Sequence, residues 1–129
     1  MIDGWLSLRV EDPKAVGAWY EQLGFEVVGS RPDVGSVVIG TKARGRILVL
    51  LPGEGIEQPD RLQIHFAVPD VDAEYERLVK QGIEFQEPPK DMPWRWRHAY
   101  TKDPAGHTVE LCTPLPDAKD LDASFLRAS

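Results

Sequence analysis

The sequence has little cysteine, no basic surplus and no long apolar run. Its single cysteine, Cys112, excludes an intramolecular disulfide and fits a reducing compartment. The net charge of −6 disfavours nucleic acid as a partner, because no surplus of Lys and Arg is available to replace counterions on phosphates. The longest apolar stretch, Ile47–Leu51, is too short to cross a bilayer. Met1–Leu8 lacks the basic start and apolar core of a signal peptide, so we expect a cytoplasmic protein with no membrane partner.

What the chain does contain is an internal repeat. A shift of 58 residues places Asp12 on Asp70 and Gly24 on Gly82. Each half then reads as a strand, an acidic helix cap, a helix, a glycine and further strands. The 129 residues are enough for a single domain with one core. We predict module one at about 4–52, a linker at about 53–60, module two at about 61–114 and a C-terminal tail, 115–129.

The local patterns support this division. Trp5–Val10 alternates between apolar and polar residues, as a half-buried strand does. Asp12 and Asp70 are placed to cap one helix each, and Gly24 and Gly82 to end them. The remaining predicted elements are strands near Phe25–Gly29, Ser36–Gly40, Arg46–Leu51, Leu62–Val68, Ile83–Glu87, Arg97–Thr101 and Thr108–Cys112, and a tail helix at Asp117–Arg127.

This order of elements predicts an α+β fold. Two βαβββ modules would form a cup-shaped mixed β-sheet with the helices on its outer face. The strand faces that do not meet the helices would line a shared concavity. By strand alternation these faces carry Trp5, Ser7, Arg9, Gln63, His65 and Glu110.

Two stretches resemble a known family. Val10-Glu-Asp-Pro, followed by Trp19-Tyr20 and Leu-Gly-Phe25, is similar to the opening of vicinal oxygen chelate domains. The stretch Pro93-Trp94…Arg97…Asp103-Pro-Ala-Gly-His-Thr-Val-Glu110-Leu resembles their closing motif. The family includes glyoxalases, bleomycin resistance proteins and extradiol dioxygenases. The resemblance implies paired βαβββ modules and often a homodimer, and in character it is closest to the metal-free bleomycin-resistance branch.

The resemblance also bears on a metal. Family members that use a metal carry ligands on the first and last strands of both modules. The corresponding first-strand positions are Trp5 and Gln63, and the last strand of module two supplies Glu110. The last strand of module one contains no Asp, Glu or His. We therefore expect no cofactor and disfavour a divalent metal, with Gln63, His65 and Glu110 as the fallback ligands.

The candidate site residues follow from these arguments. Glu110 and His65 are the candidate acid and base, since a carboxylate and an imidazole can exchange protons near neutral pH. Trp94 could stack on a planar or cationic ligand. The sequence leaves open whether Trp96, His98 and Tyr100 or instead Arg97 and Ala99 point inward. His107 lies in the predicted turn before the last strand and is expected to face solvent. The full set of candidate ligand-binding residues is Trp5, Ser7, Arg9, Gln63, His65, Trp94, Arg97 and Glu110.

Three functions remain open at this stage. The first is a metal-free protein that binds a small molecule, such as an antibiotic or toxic compound. The second is a glyoxalase-like lyase or isomerase, or another small-molecule enzyme that uses Glu110 and His65, with or without a divalent metal. The third is a protein-interaction module whose cup no longer binds a ligand. The acidic charge suits a cationic ligand without requiring one.

Overall fold

The chain folds as two modules with the same order of secondary structure. The structure is a computed structural model that describes residues 2–118. The first module contains β1 (Leu6–Val10), α1 (Pro13–Leu23), β2 (Glu26–Arg31), β3 (Ser36–Thr41) and β4 (Gly45–Pro52). The second contains β5 (Gln63–Ala67), α2 (Val71–Lys80), β6 (Lys90–Asp91), β7 (Trp96–Lys102) and β8 (Thr108–Pro114). A short 3₁₀ helix, Pro59–Arg61, precedes β5.

Each module builds one four-stranded mixed sheet. The strand orders are β1-β4-β3-β2 and β5-β8-β7-β6, so the two sheets share one topology. In each, the first strand runs parallel to the last, and the other pairs are antiparallel. This arrangement confirms the predicted α+β fold of two βαβββ modules. The described residues divide into two compact units, residues 2–59 with Asp103–Gly106, and residues 60–102 with 107–118.

The predicted helix caps are present. The Asp12 side chain accepts a hydrogen bond from the backbone N–H of Ala15 at 3.1 Å, and Asp70 accepts one from Ala73 at the same distance. Each carboxylate satisfies an amide that has no partner within its helix. Gly24 ends α1 in the left-handed region at φ 117°, where a side chain would be strained.

Helix α1 lies close to its sheet because Gly17 faces the strands. A Cβ at this position would stand 3.0 Å from the Val37 side chain and 3.6 Å from that of Ile39. A second close approach occurs where β3 and β4 shift register. A Cβ on Gly40 would lie 1.9 Å from the carbonyl oxygen of Gly45, so only glycine fits there.

A buried polar pair fastens α1 to the turn Asp103–Gly106 within the first compact unit. The Tyr20 hydroxyl donates to Asp103 Oδ2 at 2.7 Å, and the exposed fractions of the two residues are 0% and 3%. The backbone N–H of Ala105 donates to the other carboxylate oxygen at 2.9 Å. Burial, and then the Asp103 carboxylate, raises the pKa of Tyr20 far above its usual range, so the phenol keeps its proton.

The structure corrects two local predictions. The strand expected at Ile83–Glu87 is reduced to a single bridge between Phe85 and Thr101, and the edge strand is instead the short β6. Pro88 and Pro89 lie between them and have no N–H to offer a ladder. His107, which the turn motif would place in solvent, is 2% exposed.

The tail helix predicted at Asp117–Arg127 lies outside the described residues beyond Ala118. In residues 2–118, no helix has the length and apolar character needed to span a membrane.

Candidate functional site

One face of the second sheet carries a group of polar and ionisable side chains. Strand pairing aligns them into rows that run across β5, β8 and β7. Residues two apart on a strand share a face, so all three rows look the same way. The Thr108 row is Gln63, Thr108 and Lys102; the Glu110 row is His65, Glu110 and Tyr100; the Cys112 row is Ala67, Cys112 and His98.

The middle of the opposite face of this sheet is apolar and buried. Val109 and Leu111 of β8 are 0% and 3% exposed, and Ala99 of β7 is 0% exposed. These residues alternate with the row residues along each strand. Burying this face keeps the strand register, since a slip of one residue would turn Glu110 into the apolar layer.

Glu110 lies at the centre of these rows. It is 7% exposed, and its two carboxylate oxygens contact two different imidazoles. Oε2 lies 2.5 Å from Nδ1 of His65, and Oε1 contacts Nδ1 of His98. A carboxylate can only accept hydrogen bonds, so both Nδ1 atoms donate. The pairing orients both rings and leaves the Nε2 atom of each neutral imidazole as an acceptor.

The two histidines differ in exposure. The side chain of His65 is 54% exposed, whereas that of His98 is 7% exposed. Among the described residues, Nε2 of His98 is a buried polar atom without a hydrogen-bond partner. His65 therefore offers its ring to solvent, while His98 holds an unsatisfied nitrogen inside the protein.

Two adjoining cavities lie over this face. They measure about 390 Å³ and 360 Å³ and share His65, Trp94, His98 and Glu110 in their walls. Both lie within the size range of small-molecule sites. The remaining wall of the larger cavity is mainly polar and comprises Asp60, Gln63, Gln86, Tyr100, Lys102 and Thr108. The smaller cavity is completed by Ala67, Trp96 and Cys112.

Aromatic rings surround the buried imidazole. The ring centroids of Trp94 and His98 are 6.0 Å apart with an interplanar angle of 79°, and those of His98 and Tyr100 are 5.5 Å apart. Trp94 is 55% exposed and lies in a tight loop where Met92 N–H donates to Trp96 O at 2.8 Å. Half of the indole is therefore free to meet a ligand.

Cys112 lines the smaller cavity, and its thiol has low reactivity. Burial, and then the nearby Glu110 carboxylate, raises the pKa of its thiol to about 11. The thiolate is the reactive form, so this cysteine is a poor nucleophile at neutral pH.

The structure brings together four of the candidate residues in the second module. Gln63, His65, Trp94 and Glu110 line the larger cavity. Arg97 does not, because its side chain leaves the opposite face of β7 and binds Asp72 at 2.8 Å and Asp91 at 3.0 Å. These hydrogen bonds raise the pKa of the guanidinium further above its usual range.

The three candidates from the first module belong to the other compact unit. Trp5 lies just before β1 and is 54% exposed, with the Arg46 guanidinium 4.8 Å from its ring centroid. Ser7 and Arg9 are exposed on β1, and Nη1 of Arg9 donates to the carbonyl of Pro52 at 3.5 Å. The sequence left open whether His98 and Tyr100 point inward. In the structure, both line the larger cavity.

The side chains of this face also bear on whether a divalent metal could bind here. Within residues 2–118, no group of three or more His, Cys, Asp or Glu side chains has an arrangement that could hold an ion. In the fallback set of Gln63, His65 and Glu110, both Glu110 oxygens and Nδ1 of His65 take part in hydrogen bonds. The expectation that no metal binds here stays a prediction.

Comparison with known proteins agrees with this fold. The chain belongs to the Glyoxalase/Bleomycin resistance protein/Dioxygenase superfamily, whose family model matches residues 4–111. It is 27% identical to Uncharacterized protein YetH of Bacillus subtilis (strain 168) over 97 residues, covering 70% of this chain and 81% of YetH.

Solved structures show the same architecture. A glyoxalase/bleomycin resistance protein/dioxygenase from Nocardioides is 24% identical with a TM-score of 0.73, covering 95% of this chain and 89% of that one. TnmS3, an antibiotic binding protein from Streptomyces sp. CB03234, is 27% identical with a TM-score of 0.69, covering 88% of this chain and 97% of its own.

Proposed function

We propose that this protein binds and sequesters a small molecule with a planar aromatic part, and that it does so without a metal. The observation that carries the proposal is the pair of adjoining cavities over one sheet face. Both are lined by Trp94 and by Glu110 with its two histidine partners. Aromatic side chains supply a large contact area for a flat ligand. The description of TnmS3 as an antibiotic binding protein supports small-molecule binding.

We also propose that the protein acts as a cytoplasmic homodimer. The superfamily resemblance and the single, buried Cys112 support these two points. Native mass spectrometry of the freshly purified protein tests the assembly, and it reports any retained metal or ligand in the same spectrum. A monomer mass at micromolar concentration contradicts the dimer, and stoichiometric metal contradicts the metal-free site.

Binding is tested by calorimetric titration with a panel of planar aromatic compounds, neutral and cationic. Trp94→Ala removes the exposed ring and should weaken binding by about tenfold, in line with the energy of one aromatic contact. Trp94→Phe keeps a ring at the same place and should retain most of the affinity. If no compound of the panel binds, or if both variants bind like the parent protein, the proposed site is wrong.

A second function is favoured by a specific contact. Nδ1 of His65 is bound to Glu110, and the ring is half exposed in the wall of both cavities. A carboxylate that orients an imidazole in this way leaves Nε2 to accept a proton from a substrate. The alternative is therefore a lyase or isomerase in which His65 and Glu110 work as one acid–base pair.

The two functions predict different fates for a bound compound. A sequestering protein returns its ligand unchanged, whereas an enzyme converts it over repeated turnovers. Mass spectrometry of the compound after prolonged incubation distinguishes them. If conversion is found, His65→Gln should abolish it while binding persists, because the amide cannot carry the proton. Conversion that survives this substitution contradicts the acid–base role of His65.

A further inference from the structure

We propose that the ligand of this site carries a hydroxyl or N–H group on its aromatic part, and that this group donates a hydrogen bond to Nε2 of His98. The inference rests on the proposed function and names the class of ligand, which is a hydroxyaryl or related donor-bearing ring. The observation that carries it is the unsatisfied state of this nitrogen among the described residues.

The polarity of the missing partner follows from Glu110. Its carboxylate accepts from Nδ1 of His98, so the proton of the neutral imidazole is on that atom. Nε2 then has a lone pair and no hydrogen. It can accept a hydrogen bond and cannot donate one. A ligand that presents only acceptors, such as an ether or ketone oxygen, leaves this nitrogen unsatisfied.

The surroundings of Nε2 indicate what the donor is attached to. The His98 ring lies in the walls of both cavities, at the end where Ala67, Trp96 and Cys112 make one wall apolar. The rings of Trp94 and Tyr100 flank it at 6.0 Å and 5.5 Å. A donor group on a flat apolar body matches this arrangement, whereas a strongly hydrated sugar or peptide does not.

Access to the nitrogen requires one neighbour to move. Nε2 is screened from solvent in this structure, and Trp94 is the flanking side chain with the greatest exposure, at 55%. The proposal therefore includes a rotation of this indole as the ligand ring enters beside His98. The buried acceptor then gains a partner on binding, which is a strong source of discrimination because an unmatched ligand leaves it unpaired.

The test compares three probes of nearly equal shape: 2-naphthol, 2-methoxynaphthalene and naphthalene. Calorimetry should show 2-naphthol binding at least about tenfold more tightly than the other two, the ratio expected for one buried hydrogen bond to an otherwise unsatisfied acceptor. This arm needs only the parent protein, so it does not depend on the folding of any variant.

Two matched variants assign the preference to one residue. In His98→Asn the side-chain amide takes the place of Nδ1 and can still donate to Glu110, but no second nitrogen remains. His65→Asn makes the same change at the exposed imidazole. The preference for 2-naphthol over 2-methoxynaphthalene should fall to about twofold or less in His98→Asn and persist in His65→Asn.

The outcomes separate the two proposals. If all three probes bind with equal affinity, the hydrogen bond to His98 is wrong while aromatic binding stands. If the preference disappears in His65→Asn and persists in His98→Asn, the ligand donates to His65, and the assignment to His98 is wrong. If none of the three probes binds, the proposed aromatic site fails and the inference fails with it.

Discussion

The buried contact between Glu110 and His98 can be removed from either side or from both, and the three variants should differ sharply in stability. His98→Phe keeps a ring of similar shape but takes one hydrogen-bond donor from a carboxylate that is 7% exposed. A lost hydrogen bond to a buried charge costs about 2–3 kcal/mol. Glu110→Leu leaves Nδ1 of His98 without its acceptor, which costs about 1–3 kcal/mol.

The double variant removes both polar partners together. Apolar groups of similar shape then fill the same space, so its free energy of unfolding should lie within about 1 kcal/mol of the parent protein. The coupling energy of the cycle is therefore about 2–6 kcal/mol, with the double variant more stable than either single one. Urea denaturation of the four proteins measures it.

His65 provides the matched control, since its Nδ1 contacts the same carboxylate but its side chain is 54% exposed. Water can replace the lost partner there, so a cycle of His65→Phe with Glu110→Leu should give a coupling energy below about 1 kcal/mol. Additive effects in the His98 cycle, or equal coupling energies in the two cycles, would refute the reasoning from burial.

Three further results are expected. Tyr20→Phe removes the hydroxyl that donates to Asp103 at 2.7 Å and should lower the free energy of unfolding by about 2 kcal/mol in urea; an unchanged midpoint would contradict that role. Alkylation of Cys112 by iodoacetamide should be slow at pH 7 and rise about tenfold per pH unit towards its pKa of about 11, and a bound ligand should protect it; rapid reaction at pH 7 would exclude the raised pKa. Arg97→Gln should leave ligand affinity unchanged and cost less than about 1 kcal/mol, because the guanidinium binds two exposed carboxylates away from the cavities; a large loss of affinity would return Arg97 to the site.

Much of the fold could be predicted because its signals are local. Asp12 and Asp70 are placed to cap a helix each and Gly24 to end one, and the alternation along β5 separates the exposed Gln63 and His65 from the buried Ile64. Such signals depend on a few neighbouring residues and on the period of one element. The displaced edge strand β6 was missed because strand propensity at Ile83–Glu87 says nothing about which segment finds a partner.

The face of β7 could not be predicted, and one residue explains why. The turn Asp103–Gly106 has four residues. If the residues on either side of it, Lys102 and His107, paired with each other, Ala99 would lie opposite Glu110. In the structure the turn hydrogen bond from Gly106 N to Asp103 O is present, but His107 is an additional unpaired position before β8. Tyr100 therefore lies opposite Glu110, which turns His98 towards the cavities and Arg97 away from them.

The rows of the second sheet also give the cavity a direction. Successive rows along a strand are about 7 Å apart. An elongated molecule lying parallel to β8 meets amide, hydroxyl and ammonium groups at Thr108, the carboxylate at Glu110, and then a thiol and indole near Cys112 and Trp96. A molecule with one polar and one apolar end would have one favourable orientation. The reverse orientation would place its apolar end beside Lys102 and its polar end beside Trp96. For the proposed function, the order of the rows would therefore select the direction in which an elongated ligand lies along β8.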